Sequence, residues 1–160
     1  MNRPLYLAAA ALCAAVPVTA QTARPALDYV SAATIRDTCV AWAAQRDLEV
    51  AVVVLEPHGM PVALAHMDGA SIAAGEIAQW KAVSAAKFGR ATADLVAMNP
   101  PAGMPNVATL QGGVPVYTAE GVLLGGVGVS GAKPADDAAC AAAGIEAAGL
   151  ESTRPAPSVQ

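Results

Sequence analysis

The chain has 160 residues, 55% of them hydrophobic, and 13 acidic residues against 9 Lys and Arg give a net charge of −4. That length supports one domain with a true core and not two. Beyond Arg3, Lys and Arg stand singly or in short groups, so the cationic footprint needed for nucleic acid or an anionic membrane is missing.

The first twenty residues, MNRPLYLAAAALCAAVPVTA, read as a secretory signal peptide. Arg3 precedes an apolar run from Leu5 to Val16, Pro17 breaks it, and Val18-Thr19-Ala20 offers small residues for cleavage after Ala20. The run is shorter than the roughly 20 apolar residues that cross a bilayer. Cys13 follows Leu12, where lipid attachment requires a small residue, so no membrane anchor is expected. The implied location is the periplasm or the medium. Residues 21–26 and 151–160 carry Pro and polar residues and are expected to be flexible flanks of a domain over 27–150.

From Leu27 to about Asp47, Val30, Ile35, Cys39, Val40 and Trp42 recur at helical spacing. EVAVVVLE (49–56) is a β-branched run without a break and predicts a buried strand. EPHGMP (56–61) makes a turn and VALAH (62–66) returns, completing a hairpin. Ser71 to Gly89 predicts a long helix whose many alanines would let it lie close on a sheet, and Thr92 to Met98 a shorter one. NPPAGMPN (99–106) is loop, VATLQGGVPVYT (107–118) strand material, and VLLGGVGVSG (122–131) the last strand. Pro134, Asp136 and Asp137 open a final helix that runs to about Gly149. The order helix, hairpin, helix, hairpin, helix has only short strand-to-strand links, which favours antiparallel pairing and an α+β fold.

GVGVSG (126–131) matches the dinucleotide pattern G-x-G-x-x-G letter for letter. That pattern needs a helix beginning inside it and a parallel strand after that helix. Here Val127 and Val129 alternate with Gly126 and Gly128 at the period of a strand, and Pro134 delays the helix. The glycines therefore serve close approach, by a helix or by a flat ligand.

With the leader removed, Cys39 and Cys140 remain. An even pair in an exported protein suggests a disulfide, and two separate buried thiols are the alternative. Their spacing, without Cys or His neighbours, gives no zinc site. His58 lies in a turn, where a solvated His needs no function. His66 closes the second strand beside Met67-Asp68-Gly69 and is a candidate ligand to a metal or haem iron. Lys81, Lys87 and Arg90 lie along one helix and its end, either as a solvated face or as a clamp for carboxylates. Ser84, Thr92, Thr109 and Ser130 have no His and Asp companions that would make a hydrolase triad.

Together, HMDGA (66–70), KAVSAAKFGRAT (81–92), GGVPV (112–116) and GVGVSGAKPADDAACAAAG (126–144) resemble the GlcG/HbpS-type family of haem-binding or haem-degrading domains. The resemblance covers about residues 28 to 149. It implies a profilin-like fold, a five-stranded antiparallel sheet flanked by helices in three α/β/α layers. It also implies haem or a related tetrapyrrole as ligand and homo-oligomers, octamers among them. His66 stands where the family usually has Arg, and Arg90-Ala91-Thr92 where it has Arg-Pro-Thr or similar. The site implied is His66 toward the iron, with Lys87, Arg90 and Thr92 as polar contacts. The expected function is an exported haem carrier or sensor accessory in haem and iron handling, with haem degradation left open by the resemblance. The alternative is a protein that binds a small organic acid, held as a carboxylate by Lys87 and Arg90 beside the glycine-rich strands.

Overall fold

The computed structural model describes residues 24–156. The expected signal peptide and its cleavage point lie outside them, as do the last four residues.

Eight elements follow one another: α1 (Tyr29–Ala44), β1 (Ala51–Leu55), β2 (Pro61–His66), α2 (Ile72–Phe88), α3 (Thr92–Ala97), β3 (Gly113–Tyr117), β4 (Leu123–Ser130) and α4 (Pro134–Ala147). Asp28 starts α1 by accepting the Ser31 N–H at 2.8 Å, and Gly89 ends α2 in the left-handed conformation at φ 57°. The strands form one antiparallel sheet in the order β2-β1-β4-β3.

The period-two alternation of the strands sorts their side chains between two helical layers. Val52 and Val54 of β1, Val127 and Val129 of β4, and Val114 and Val116 of β3 face α1 and α4, where Ile35, Cys39, Ala141 and Ile145 complete the larger core. Each fully buried valine contributes about 1.5–3 kcal/mol through removal from water. Ala51, Val53 and Leu55 face α2, meeting Ala74, Ala78 and Ala82. The α/β/α layering follows directly from this division.

On the α2 side the sheet is built from very small residues. A Cβ at Gly126 would stand 2.6 Å from the Ala86 amide nitrogen and 2.7 Å from the Ala82 carbonyl oxygen, and one at Gly128 would strike the Ala78 carbonyl. The glycines of GVGVSG are thus occupied by helix backbone. Of the two kinds of close approach expected, by a helix or by a flat ligand, the helix is the one found.

The sheet has four strands, not the five that the resemblance implies. The outer edge of β3 explains why. The Gly113 N–H donates to Thr92 Oγ1 at 3.0 Å, and the Tyr117 N–H donates to the Glu151 carbonyl at 2.9 Å. Alternate residues point the same way, so Pro115 between them presents a nitrogen without hydrogen to that edge. No outward N–H of β3 is left for a further strand, and a single pair, Tyr117 with Glu151, stands in its place. The polar segment after residue 150 therefore begins bound to the sheet edge.

Cys39 and Cys140 form a disulfide that joins α1 to α4, with their Cα atoms 4.8 Å apart. Both are buried in the larger core, and of the two alternatives left open by the sequence the bridge is the one found.

Candidate functional site

The last turn of α2 and the start of α3 diverge from the sheet where β3 ends. Gly89 makes this exit possible: its left-handed backbone turns the chain, and its carbonyl accepts the Tyr117 hydroxyl at 2.6 Å. Any Cβ at Gly89 would stand 2.5 Å from that hydroxyl oxygen. Tyr117 is buried, so its phenol is spent on positioning the exit and is not offered to a ligand.

The divergence opens a cleft of about 490 Å³. Lys87 and Arg90 line it from the α2 end, Asp94 from α3, Tyr117 and Leu123 from the β3–β4 hairpin, and Arg154 from the segment after α4. Three cations face one carboxylate there, in a chain that is negative overall. The Arg154 guanidinium lies 5.5 Å from the centre of the Tyr117 ring, within the range at which a cation is attracted to an aromatic face. A second hollow of about 260 Å³ adjoins the first and shares Phe88 and Arg90 with it. Its remaining walls are mainly apolar, with Leu95, Met98, Pro101 and Met104 among them.

Of the residues picked out from the sequence, the structure brings Lys87 and Arg90 together in this cleft. Thr92 is correctly placed in sequence but fully buried, and its hydroxyl accepts the Gly113 N–H. It fixes the edge of β3 and is corrected from ligand contact to internal tie. Lys81 does not belong to a carboxylate clamp either. It is 2% exposed, donates to Val129 O at 2.8 Å and to Asp137 Oδ2 at 2.7 Å, and so links α2, β4 and α4. Burial pushes the Asp137 carboxyl above its ordinary range, and the Lys81 ammonium beside it opposes that rise.

His66 lies at the opposite end of α2. Its ring packs where a Cβ on Gly75 would meet it at 3.4 Å, and its Nε2 donates to the Ser71 carbonyl at 3.2 Å, which leaves Nδ1 as the nitrogen with a free lone pair. Gly75 and Lys87 are twelve residues apart on one helix, about 18 Å at 1.5 Å per residue. Within the chain His66 and the cationic cleft are separate places. His58 is exposed and its Nδ1 sits 2.6 Å from Glu56 Oε2 in the turn. Among the described residues no group of three His, Cys, Asp or Glu side chains converges as a metal site, and no helix is long and apolar enough to cross a membrane.

Sequence reasoning missed Tyr117, Leu123 and Arg154. Tyr117 is one aromatic in an apolar strand, and Arg154 sits in a Pro-bearing tail without periodicity, so neither gave a pattern to read.

A four-stranded antiparallel sheet between helical layers, with a cationic cleft at one end, defines an α+β domain with a candidate small-molecule site. The family model described as haem degrading protein HbpS-like matches residues 27–146. The chain belongs to this family. Its fold is similar to that of PduOC, solved as a haem complex, at 26% identity and a TM-score of 0.75 over 81% of this chain and 100% of that one. It is equally similar to HbpS, at 28% identity and 0.75 over 82% and 96%. A double mutant of Streptomyces reticuli HbpS shares 30% identity, with a TM-score of 0.72 over 83% and 97%. No curated protein matches the chain in sequence.

Proposed function

We propose that this protein is an exported haem-binding protein, a carrier or sensor accessory in haem and iron handling that works as a homo-oligomer. The observation that carries the reading is the similarity to PduOC over the whole of that haem-bound chain. The cleft fits one end of such a ligand. Lys87, Arg90 and Arg154 line it as donors for propionate carboxylates, Arg as a two-pronged donor, and Leu123 adds apolar surface. Haem, when bound, supplies a redox-active iron. His66 stands farther from the cleft than a haem iron stands from its own propionates. It is therefore an iron ligand only for haem bound at that other end of α2 or between two copies.

Export is supported by two features. The leader ending at Ala20 has the form of a secretory signal. The buried Cys39–Cys140 bridge belongs to proteins that fold in oxidising compartments.

Titration of purified protein with hemin, followed by Soret absorbance, tests the reading. A saturable shift is expected at micromolar haem. Lys87→Gln with Arg90→Gln should weaken it by about 10- to 100-fold, the worth of one or two charged hydrogen bonds. The absence of a saturable shift in the unaltered protein ends the reading. A second reading, binding of a small organic acid, is favoured by the excess of cations and by the lack of a His or Cys in the cleft. Mass spectrometry of ligand released from the native protein separates the two.

A further inference from the structure

We propose that the cationic cleft and the adjoining apolar hollow are two halves of one site for an amphipathic carboxylate of the tetrapyrrole class. The carboxylates are clamped by Lys87, Arg90 and Arg154, and the apolar body lies against Met98 and Met104. The proposal rests on the tetrapyrrole reading above and adds where and how the ligand lies.

Charge and apolarity are segregated between the two hollows. The cations line the first, the second is walled mainly by Leu95, Met98, Met104 and prolines, and Phe88 and Arg90 form the partition shared by both. A ligand that spans the partition must be anionic at one end and broadly apolar at the other. A small organic acid would fill only the first. The two volumes, about 490 and about 260 Å³, place a spanning ligand in the usual range of small-molecule sites, roughly 300–1,000 Å³.

The apolar half is built to receive something. Met98 is 63% and Met104 43% exposed, and both line the second hollow from one short loop. Thioether side chains are unbranched and polarisable, so they conform to flat or irregular partners. The loop that carries them is held. Its end is tied to α2 by the Ala108 N–H donating to the buried Ser84 Oγ at 3.0 Å, and Pro100 and Pro101 fix its backbone.

The cationic half has a wall that lies outside the residues matched by the family model. The family match ends at residue 146, whereas Arg154 lies beyond it. The mutual hydrogen bonds of Glu151 and Tyr117, each 2.9 Å, carry the chain back across the edge of β3 and deliver Arg154 to the Tyr117 ring. Arg154 is thus a specificity-determining cation supplied by the tail, outside the residues that the family model matches.

The test uses three probes: hemin, metal-free protoporphyrin, and the protoporphyrin dimethyl ester, whose carboxylates are blocked. Binding is read by Soret absorbance or porphyrin fluorescence on the purified protein and on variants of exposed residues, with thermal midpoints as the folding control. Arg154→Gln should weaken protoporphyrin about tenfold and leave the ester unchanged. Met98→Glu with Met104→Glu should weaken protoporphyrin and ester alike by tenfold or more. Ile72→Glu, at the His66 end of α2 and 94% exposed, should change neither. If hemin binds but the Arg154 and methionine variants stay within about twofold, or Ile72→Glu is the damaging change, the bipartite site is overturned while haem binding stands. If the unaltered protein binds no porphyrin at all, both readings fall.

Discussion

Lys81→Met is the substitution that most sharply examines how this molecule is held together. It keeps the aliphatic stem and removes the ammonium. That group now donates to Asp137 Oδ2 at 2.7 Å and to Val129 O at 2.8 Å, and both side chains are 2% exposed. After the change Asp137 retains the Ala132 N–H on Oδ1 at 3.0 Å but has no countercharge. Breaking a buried pair from one side costs about 3–5 kcal/mol, out of a typical total stability of about 5–15 kcal/mol. For a domain of this size that is a fall of about 10–20 °C in thermal midpoint. The pH dependence follows from the direction of the Asp137 shift. Burial raises its folded pKa above the ordinary value of 3.8, and loss of the opposing Lys81 raises it further. A raised carboxyl binds its proton more tightly in the folded state, so its penalty is full above the folded pKa and fades as pH falls toward 3.8. The gap between Lys81→Met and the unaltered protein should therefore narrow in acid. Lys81→Met with Asp137→Leu, which leaves no charge buried, should be less damaging than the single change. Denaturant unfolding at several pH values reads all of this. A single-variant cost below about 1 kcal/mol near neutrality, or a gap that widens in acid, would refute the reasoning.

Two further outcomes are expected. Replacing Cys39 and Cys140 together by Ser opens a link across 101 residues and should cost about 2–5 kcal/mol in urea unfolding, while an unchanged midpoint would remove the bridge from the stability argument. Gly128→Ala drives a methyl into the Ala78 carbonyl and should prevent cooperative folding, whereas Gly75→Ala meets only the His66 ring edge at 3.4 Å and should stabilise by up to about 1 kcal/mol; circular dichroism should show no cooperative melt for the first and a raised midpoint for the second.

Much of the architecture was legible because it rests on local period. The unbroken valines of β1 and the alanine-rich run of α2 fix element type almost alone, and the predicted ends of these elements fall within two residues of those observed. The strand count was legible too, since the two hairpins read along the chain give the four strands observed; the fifth came only from the resemblance, and its absence is settled at the edge of β3 by Thr92 and Glu151 from distant parts of the chain. Lys81 and Asp137 were read separately, the first as part of a solvated face or a carboxylate clamp and the second as a carboxylate at a helix start. Nothing local marks them as partners, because the contact spans 56 residues and exists only once α2 and α4 lie at the end of β4. Arg154 was hidden for the same reason.

The position of the cleft has a cause that runs along one face of the β3–β4 hairpin. Cross-strand pairs there proceed from Gly113 with Gly128, through Pro115 with Gly126, to Tyr117 with Leu123. At the glycine pairs nothing stands between sheet and helix, and α2 rests backbone to backbone on the strands. At the last pair two large side chains rise into the path of the helix. Gly89, facing the Tyr117 hydroxyl and the Leu123 side chain, is the residue at which the helix stops and turns away. The cleft is the space left between that departing chain and the hairpin, with Lys87 and Arg90 set on either side of the turn. GVGVSG thus bears on ligand binding indirectly. Its glycines exclude a ligand from the middle of the sheet by admitting the helix there, and so confine open space to the end where glycine gives way to tyrosine and leucine.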